Sequence, residues 1–270
     1  MTADFKNLIL TTTLGGVYMI IRISAGFGCM VLNEKSLSLL NSEQRYWVNT
    51  HWELNQQYDL VRDIILTPDR DVVLKELIVR RGVWDPIYVK NHYHSEYMFH
   101  HNGLFYGKTA IDIGCGTGIT GIVMAKFRAN RVVMSDISEP AVRNASENVS
   151  LYELGNAEVV KGDLFENIDG RADCITFMHP CFPGSPPKGD TIAASMLADP
   201  ELIERFLSEA PKYLADGGVI VMPSFSLAGD LNNPAVVGKK YGFDVKTTFM
   251  ADSTTGLQQG RISMHELRLR

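Results

Sequence analysis

The sequence predicts an α/β fold, with a mostly parallel sheet and helices on both of its faces. From residue 109 onwards, short apolar strand patterns alternate with helical patterns, which is the arrangement of β-α-β units. A glycine-rich segment, residues 114–118, joins the first of these strands directly to a helix. Two further strand patterns, residues 243–250 and 260–269, close the chain and predict an antiparallel edge.

Length and composition are those of an ordinary globular chain. With 270 residues, 45% of them hydrophobic and 21% charged, it has room for one domain of catalytic size and a smaller accessory region. Lys and Arg number 26 against 31 Asp and Glu, a net charge of −5, which disfavours a nucleic acid partner. The four cysteines form no C-x-x-C pair, which is typical of a reducing compartment, so we expect a cytoplasmic protein.

Residues 1–83 predict an accessory region made of a β-hairpin and helices. An apolar run begins at Leu8, but Arg22 interrupts it before the about 20 residues that a membrane-spanning helix needs, so we expect no membrane association. Alternating side chains around Gly15 and Gly16 favour a hairpin within residues 8–32, with a third strand near its end. Apolar spacings of three and four predict helices between residues 36 and 80. The hairpin has three interpretations, which are a homodimer contact, a lid or local packing.

The strongest functional signal is the segment Asp-Ile-Gly-Cys-Gly-Thr-Gly at residues 112–118. A glycine loop between a strand and a helix lets backbone amides approach a ligand at the helix N-terminus. The dinucleotide motif G-x-G-x-x-G would need glycine where Ile119 stands, and the phosphate-binding ending G-K-[S/T] does not occur in the segment. The segment instead resembles the D-x-G-x-G-x-G loop of class I S-adenosylmethionine-dependent methyltransferases.

The resemblance covers about residues 84–270, which we therefore expect to form a methyltransferase domain on a Rossmann-like, seven-stranded sheet. It implies S-adenosyl-L-methionine as the cofactor. In such domains an acid at the end of the second strand holds the ribose hydroxyls, a role that falls to Asp136, and an acid after the third contacts the adenine amine, a role that falls to Asp163. The implied cofactor-binding residues are Asp112, Gly114, Cys115, Gly116, Gly118, Asp136, Ile137, Asp163 and Leu164.

The end of the fourth predicted strand supplies the candidate catalytic residues. Residues 179–182, His-Pro-Cys-Phe, resemble with departures the [N/D]-P-P-[Y/F] corner of methyltransferases that act on glutamine or exocyclic nitrogens. Asn or Asp there accepts hydrogen bonds from a planar NH₂, whereas His179 can accept only one and could act as a base that titrates near pH 6.5. His179 is therefore either a base or a turn residue, and Phe182 is either a stacking platform for a flat substrate or part of the core.

The histidine-rich segment 92–101 forms a second group of candidates. Imidazole is the commonest transition-metal ligand, but the spacing is not H-E-x-x-H and no cysteine joins the group, so we predict no metal site. Related enzymes use this segment to line the cofactor and acceptor pocket. Tyr93, His94 and Glu96 are therefore open between a pocket role and ordinary packing.

These observations predict an S-adenosylmethionine-dependent methyltransferase. The acidic balance and the altered corner slightly favour a nitrogen or oxygen of a small-molecule acceptor. An N-methyltransferase that acts on a protein glutamine or a nucleobase amine is the alternative. A catalytically inactive, methyltransferase-like partner subunit is the second alternative.

Overall fold

A computed structural model describes residues 9–14, 17–22, 32, 35–55, 59–66, 73–86, 92–255 and 258–270. The chain divides into two compact units, Met1–Val31 and Leu32–Arg270. None of the described helices combines the length and apolar character needed to cross a membrane.

The first unit contains a two-stranded antiparallel hairpin, β1 (Ile9–Leu14) and β2 (Val17–Arg22). The ladder runs from the pair Ile9–Arg22 to the pair Leu14–Val17. The hairpin prediction is thereby confirmed. The third strand predicted near residues 27–32 lies almost entirely outside the described residues.

The second unit alternates strands and helices. Its helices are α1 (Ser42–Asn55), α2 (His92–His100), α3 (Ile119–Lys126), α4 (Glu139–Leu151), α5 (Thr191–Met196), α6 (Glu201–Glu209) and α7 (Pro234–Lys240). Its strands are β3 (Leu60–Ile65), β4 (Val73–Val79), β5 (Thr109–Ile113), β6 (Arg131–Asp136), β7 (Ala157–Lys161), β8 (Ala172–Phe177), β9 (Phe182–Pro183), β10 (Leu197–Ala198), β11 (Leu214–Phe225), β12 (Phe243–Thr255) and β13 (Gln258–Leu269).

Seven of these strands form one sheet in the order β12-β13-β11-β8-β5-β6-β7. Strands β11, β8, β5, β6 and β7 are parallel, and β13 pairs antiparallel with both β11 and β12. The predicted Rossmann-like, mostly parallel seven-stranded sheet is confirmed. Because β5 lies between β6 and β8, the chain order reverses there, and ligands of such sheets bind beyond the carboxyl ends of the strands at this reversal.

Both faces of the sheet are buried, as the near-continuous apolar strands require. Ala110 of β5 joins the core on one face, with α2 and α3, while its neighbour Ile111 joins the core on the other face, with α6 and α7. Successive side chains of a strand point to opposite faces, so β5 contributes to both cores. Packing on both faces thus holds β5, and with it the position of its carboxyl end.

The helical interpretation of the segment from residue 58 to residue 80 is wrong, because β3 and β4 form an antiparallel hairpin there. The register shifts between Arg62 and Ile64. Such a bulge breaks the two-residue alternation of a strand, so the apolar spacing imitates a helix. Within the segment predicted to be helical from residue 36 onwards, α1 confirms a helix at Ser42–Asn55, while residues 35–39 form turns. The predicted division at residues 83 and 84 stays a prediction, while the compact units meet at Val31 and Leu32.

Two fully buried asparagines of α4 attach β4 to the rest of the unit. The Oδ1 atom of Asn148 accepts from the Ile78 N–H at 2.9 Å, and its Nδ2 donates to the carbonyls of Ile78 and Thr117 at 2.8 and 2.9 Å. Asn144 accepts from the Arg80 N–H at 2.8 Å and also donates to Ile78. Asn148 therefore joins the β3–β4 hairpin to the glycine loop, of which Thr117 is a member.

Replacing Asn148 with alanine should lower the free energy of unfolding by about 1–3 kcal/mol, because the Ile78 and Thr117 backbone groups lose their partners. Urea titration followed by circular dichroism measures the change. Ser146→Ala on the exposed face of the same helix is the matched control and should change stability by less than about 0.5 kcal/mol. Equal urea midpoints for the two variants would contradict the proposed attachment.

Candidate cofactor and acceptor site

A cavity of about 910 Å³ lies at the carboxyl ends of β5, β6, β7 and β8. It is lined by eight of the nine residues predicted to bind the cofactor, namely Asp112, Gly114, Cys115, Gly116, Asp136, Ile137, Asp163 and Leu164. The ninth, Gly118, lies just behind the lining as the N-cap of α3. The structure thus brings together residues from three separate loops at the reversal of the sheet. Their roles toward a cofactor stay predictions.

The backbone of the glycine loop has a conformation that residues other than glycine rarely adopt. The φ angles of Gly114, Gly116 and Gly118 are 64°, 56° and 82°. These values lie in the left-handed region, which costs residues with a Cβ atom roughly 1–2 kcal/mol. At Gly114 space is also short, since a Cβ would lie 3.1 Å from the Phe177 ring. The backbone conformation of this turn therefore favours glycine at every second position.

Asp136 holds the loop from the end of β6. Its Oδ2 accepts from the Gly116 N–H at 2.9 Å, and its Oδ1 accepts from the Ser138 N–H at 2.8 Å. Burial raises the pKa of the carboxyl, while the two backbone N–H groups oppose that rise. Each carboxylate oxygen can accept two hydrogen bonds, so one position on each oxygen remains for a ligand.

Asp112 is almost completely buried beside the loop. Its Oδ2 accepts from the Gly121 N–H at 2.9 Å. Burial raises the pKa of Asp112 to about 7, with a smaller contribution from the charge of Asp136, against the lowering effect of the Gly121 hydrogen bond. Sequence reasoning missed Gly121, where a Cβ would collide with the Met134 side chain. A glycine inside a predicted helix, one turn after the loop, is the signal that could have found it.

The remaining residues predicted to contact the cofactor differ in their exposure and in the hydrogen bonds that they already make. Asp163 accepts a hydrogen bond from Arg205 at 2.8 Å, so a ligand amine would share this carboxylate with a guanidinium. Ile137 is 65% exposed and offers an apolar wall, whereas Leu164 is buried. Burial raises the pKa of the Cys115 thiol well above its usual range, so the thiol stays protonated.

A second, smaller cavity of about 60 Å³ begins where β8 ends. Both candidate catalytic residues, His179 and Phe182, line it. The two cavities share Trp84, Met178 and Ser195 in their walls, so they adjoin one another. Sequence reasoning missed Trp84 and Ser195, because their positions follow from loop packing rather than from a motif.

His179 is buried, and its Nε2 donates to the carbonyl of Asn232 at 2.7 Å. Burial lowers the pKa of His179 to about 4, although hydrogen bonds to backbone raise it in part. This value contradicts the expectation that the residue titrates near pH 6.5. His179 is a neutral imidazole at pH 7, whose proton lies on Nε2.

Phe182 packs in an aromatic cluster while also forming part of the wall of the small cavity. Its ring centroid lies 4.8 Å from that of Trp47 and 6.1 Å from that of Phe225. The backbone at Phe182 pairs with β10 at Leu197. The two interpretations of this residue, core packing and a surface for a flat substrate, are therefore compatible in one position.

The histidine-rich segment contains all of α2 and contributes to the small cavity through Tyr93 and His94. His94 is fully buried, and burial lowers its pKa to about 3, with a smaller effect of His179. Glu96 is half-buried and lines neither of these two cavities. Across the described ranges, no three His, Cys, Asp or Glu side chains are close enough to hold a metal ion.

Comparisons with known proteins show that most of this site lies in a segment that is similar to methyltransferase domains. Residues 98–229 match the family model of the methyltransferase small domain. Over 128 residues the chain is 36% identical to a Methanocaldococcus jannaschii protein assigned as a protein N5-glutamine methyltransferase, a match that covers 46% of this chain and 64% of the relative. It is 36% identical over 110 residues to a ribosomal protein L11 methyltransferase of a Thermoanaerobacter species, covering 41% of this chain and 30% of the relative.

The chain thus spans less than two thirds of the length of these relatives. Among solved structures, Trm5b from Pyrococcus abyssi aligns with a TM-score of 0.52 and 17% identity over 97% of this chain and 63% of that one, which shows a shared fold. Over residues 98–229, the prediction of a class I methyltransferase domain that uses S-adenosyl-L-methionine is confirmed, while the resemblance of the corner at residues 179–182 stays a prediction.

The raised pKa of Asp112 predicts a pH dependence of stability. Protonation of the buried carboxyl is favoured by folding, so this contribution is complete below pH 3.8 and is lost as the pH rises through about 7. The free energy of unfolding of the wild type, minus that of Asp112→Asn, should fall by up to about 1.4 kcal/mol per pH unit between pH 5 and 7. Urea titrations at pH 5, 6, 7 and 8 measure it. The subtraction cancels other titrating groups, and a constant difference would contradict the assignment.

Proposed function

We propose that this protein is an S-adenosylmethionine-dependent methyltransferase that methylates a side-chain nitrogen of another protein. The observation that carries the proposal is the union of two adjoining cavities at the reversal of the sheet. The larger one has the glycine loop and Asp136, while the smaller one begins at the end of β8. The relatives assigned to glutamine and ribosomal protein L11 methylation support a protein acceptor over the small molecule that composition favoured.

The residues of the large cavity fit the cofactor. The free acceptor positions on Asp136 suit a pair of ribose hydroxyls, and Ile137 suits one face of an adenine ring. The glycine loop leaves open space at Gly116, where a Cβ would meet no atom within 4 Å. When bound, S-adenosyl-L-methionine supplies an electrophilic methyl group on a sulfonium.

The charges around the large cavity favour a protein over a nucleic acid. Six carboxyl groups and two cationic side chains line it, namely Asp112, Asp136, Asp163, Asp190, Asp199, Glu201, Lys188 and Arg205. A negative surface repels a phosphate backbone and suits a cationic cofactor. We therefore place the protein acceptor ahead of the nucleobase.

The altered corner is compatible with a nitrogen acceptor. A neutral His179 accepts one hydrogen bond through Nδ1, as the oxygen of an Asn side chain would from an N–H group. The nitrogen must lose a proton when it gains a methyl group. The lowered pKa makes His179 a weak base, so its role in this proposal is to orient the acceptor.

S-adenosylhomocysteine should bind the purified chain, and Asp136→Ala should weaken binding by roughly 1.5–3 kcal/mol, because charge-assisted hydrogen bonds are lost. Isothermal titration calorimetry gives the two dissociation constants, and thermal unfolding checks that the variant is folded. Glu158→Ala removes an exposed acid that pairs with Arg131 outside the cavity, so it is the matched control. If the Asp136 variant bound like the control, the ribose partner would lie elsewhere.

Incubation with methyl-labelled cofactor and a cell extract tests the acceptor class. We expect label in the protease-sensitive fraction, and acid hydrolysis should release it as methylamine if the acceptor is an amide. Label that remained on an amino acid would indicate an amine acceptor instead. Label in RNA or in small metabolites would overturn the protein acceptor. Cofactor binding without any transfer would point to an inactive partner subunit.

A further inference from the structure

An ion pair between Asp163 and Arg205 lies in the wall of the large cavity. Asp163 follows β7, Arg205 is part of α6, and both residues line the cavity. The guanidinium donates through Nη2 to Asp163 Oδ2 at 2.8 Å. Glu201 and Leu202 of the same helix also line the cavity. Because residues four apart share a face of a helix, Glu201 and Arg205 mark the face of α6 that borders the cavity.

Stability does not explain this ion pair. The side chains of Arg205 and Asp163 are 48% and 39% exposed, and an ion pair in contact with water contributes little to the free energy of unfolding. A ligand that covers the pair excludes this water, and the attraction between the two charges then becomes stronger. The pair therefore has its largest effect when the cavity is filled.

The backbone of the turn that carries Asp163 is fixed independently of Arg205. The Asp163 N–H donates to Glu166 Oε2 at 3.2 Å, and the Leu164 carbonyl accepts from the buried Ser135 hydroxyl at 2.9 Å. Leu164 has a φ angle of 53°, in the left-handed region, which a residue with a Cβ atom keeps only with such support. The direction of the Asp163 carboxylate is a separate matter. Among the described residues, only Arg205 forms a hydrogen bond with it.

A carboxylate held in this way has one oxygen left for a ligand. Arg205 occupies Oδ2 of Asp163, so Oδ1 can accept from an N–H group. Asp136 lies opposite Lys161 in the register of β6 and β7, and Asp163 follows Lys161 by two residues. A base whose ribose is bound at Asp136 therefore has Asp163 within its surroundings. An exocyclic amine would satisfy Oδ1, whereas a carbonyl oxygen at the same place would repel it.

We propose that Arg205 is a positioning residue that makes the cofactor pocket selective for adenine over a 6-oxopurine. By holding Oδ2, it keeps Oδ1 of Asp163 available to the exocyclic amine of the base. The inference rests on the proposed function and deepens it, since it assigns base selectivity to a residue of α6, away from the glycine loop and the strand ends. The rival interpretation is that Arg205 only fastens α6 to the turn after β7.

Isothermal titration calorimetry with S-adenosylhomocysteine and S-inosylhomocysteine tests the proposal. The second compound has an oxygen in place of the amine at C6 of the base. The wild type should bind the adenosyl compound more tightly. Arg205→Met keeps the length of the side chain but removes its charge, so Asp163 is no longer held. The ratio of the two dissociation constants should then fall about threefold to tenfold, because a freely rotating side chain must be ordered on binding.

Arg171→Met is the matched control. Arg171 is an exposed arginine that pairs with Asp216 at 3.5 Å and lines neither of the two cavities. This variant should keep the selectivity of the wild type, and both variants should keep its thermal unfolding midpoint in the absence of ligand. In an Asp163→Ala background, Arg205→Met should leave the ratio unchanged, since Arg205 acts through that carboxylate.

An unchanged ratio in Arg205→Met, whether or not the affinity for both compounds falls, would overturn the inference and leave Arg205 as a fastening for α6. A further fall of the ratio in the Asp163→Ala background would overturn it as well, because Arg205 would then act on the ligand directly. Failure of S-adenosylhomocysteine to bind the wild type would overturn the proposed function together with this inference. Binding with unchanged selectivity would overturn this inference alone.

Discussion

The left-handed backbone of the glycine loop is the constraint on which the site depends. It joins β5 to α3, and two acids accept hydrogen bonds from backbone N–H groups of the loop and of the helix that follows it. Asp136 holds Gly116 from β6, and Asp112 holds Gly121 at the first turn of α3. The parallel register, in which Asp112 lies opposite both Met134 and Thr176, sets the height of both acids. The glycine loop, α3 and β6 are thus joined by hydrogen bonds into one assembly.

The polar side chains that line the two cavities differ in charge state and in the hydrogen bonds that they make. In the large cavity the acids already accept from backbone N–H groups and still have acceptor positions in reserve. In the small cavity burial keeps His94 and His179 neutral, because desolvation penalises the imidazolium form. Neutral imidazoles present lone pairs, whereas charged ones would present only donors. Burial at the end of β8 therefore determines the protonation state of both rings.

The sequence alone predicts the features that depend on local backbone chemistry. The glycine spacing, the acids at strand ends and the closing strands all lie where the patterns indicate. The β3–β4 hairpin was not predictable, because the bulge at Arg62 alters its periodicity and the Asn148 contacts join residues 70 apart. The protonation of His179 was equally out of reach, since it depends on burial and on the Asn232 carbonyl 53 residues away.

The shared amide of Asn148 has a consequence for local opening. Because Nδ2 donates to both Thr117 and Ile78, detaching the β3–β4 hairpin removes one of the two carbonyls that hold the amide bound to the glycine loop. Segments that share buried partners tend to open as one cooperative unit. Amide hydrogens of β4 and of the loop should then exchange with solvent at matched rates, and a ligand seated on the loop slows exchange in a hairpin that it never touches.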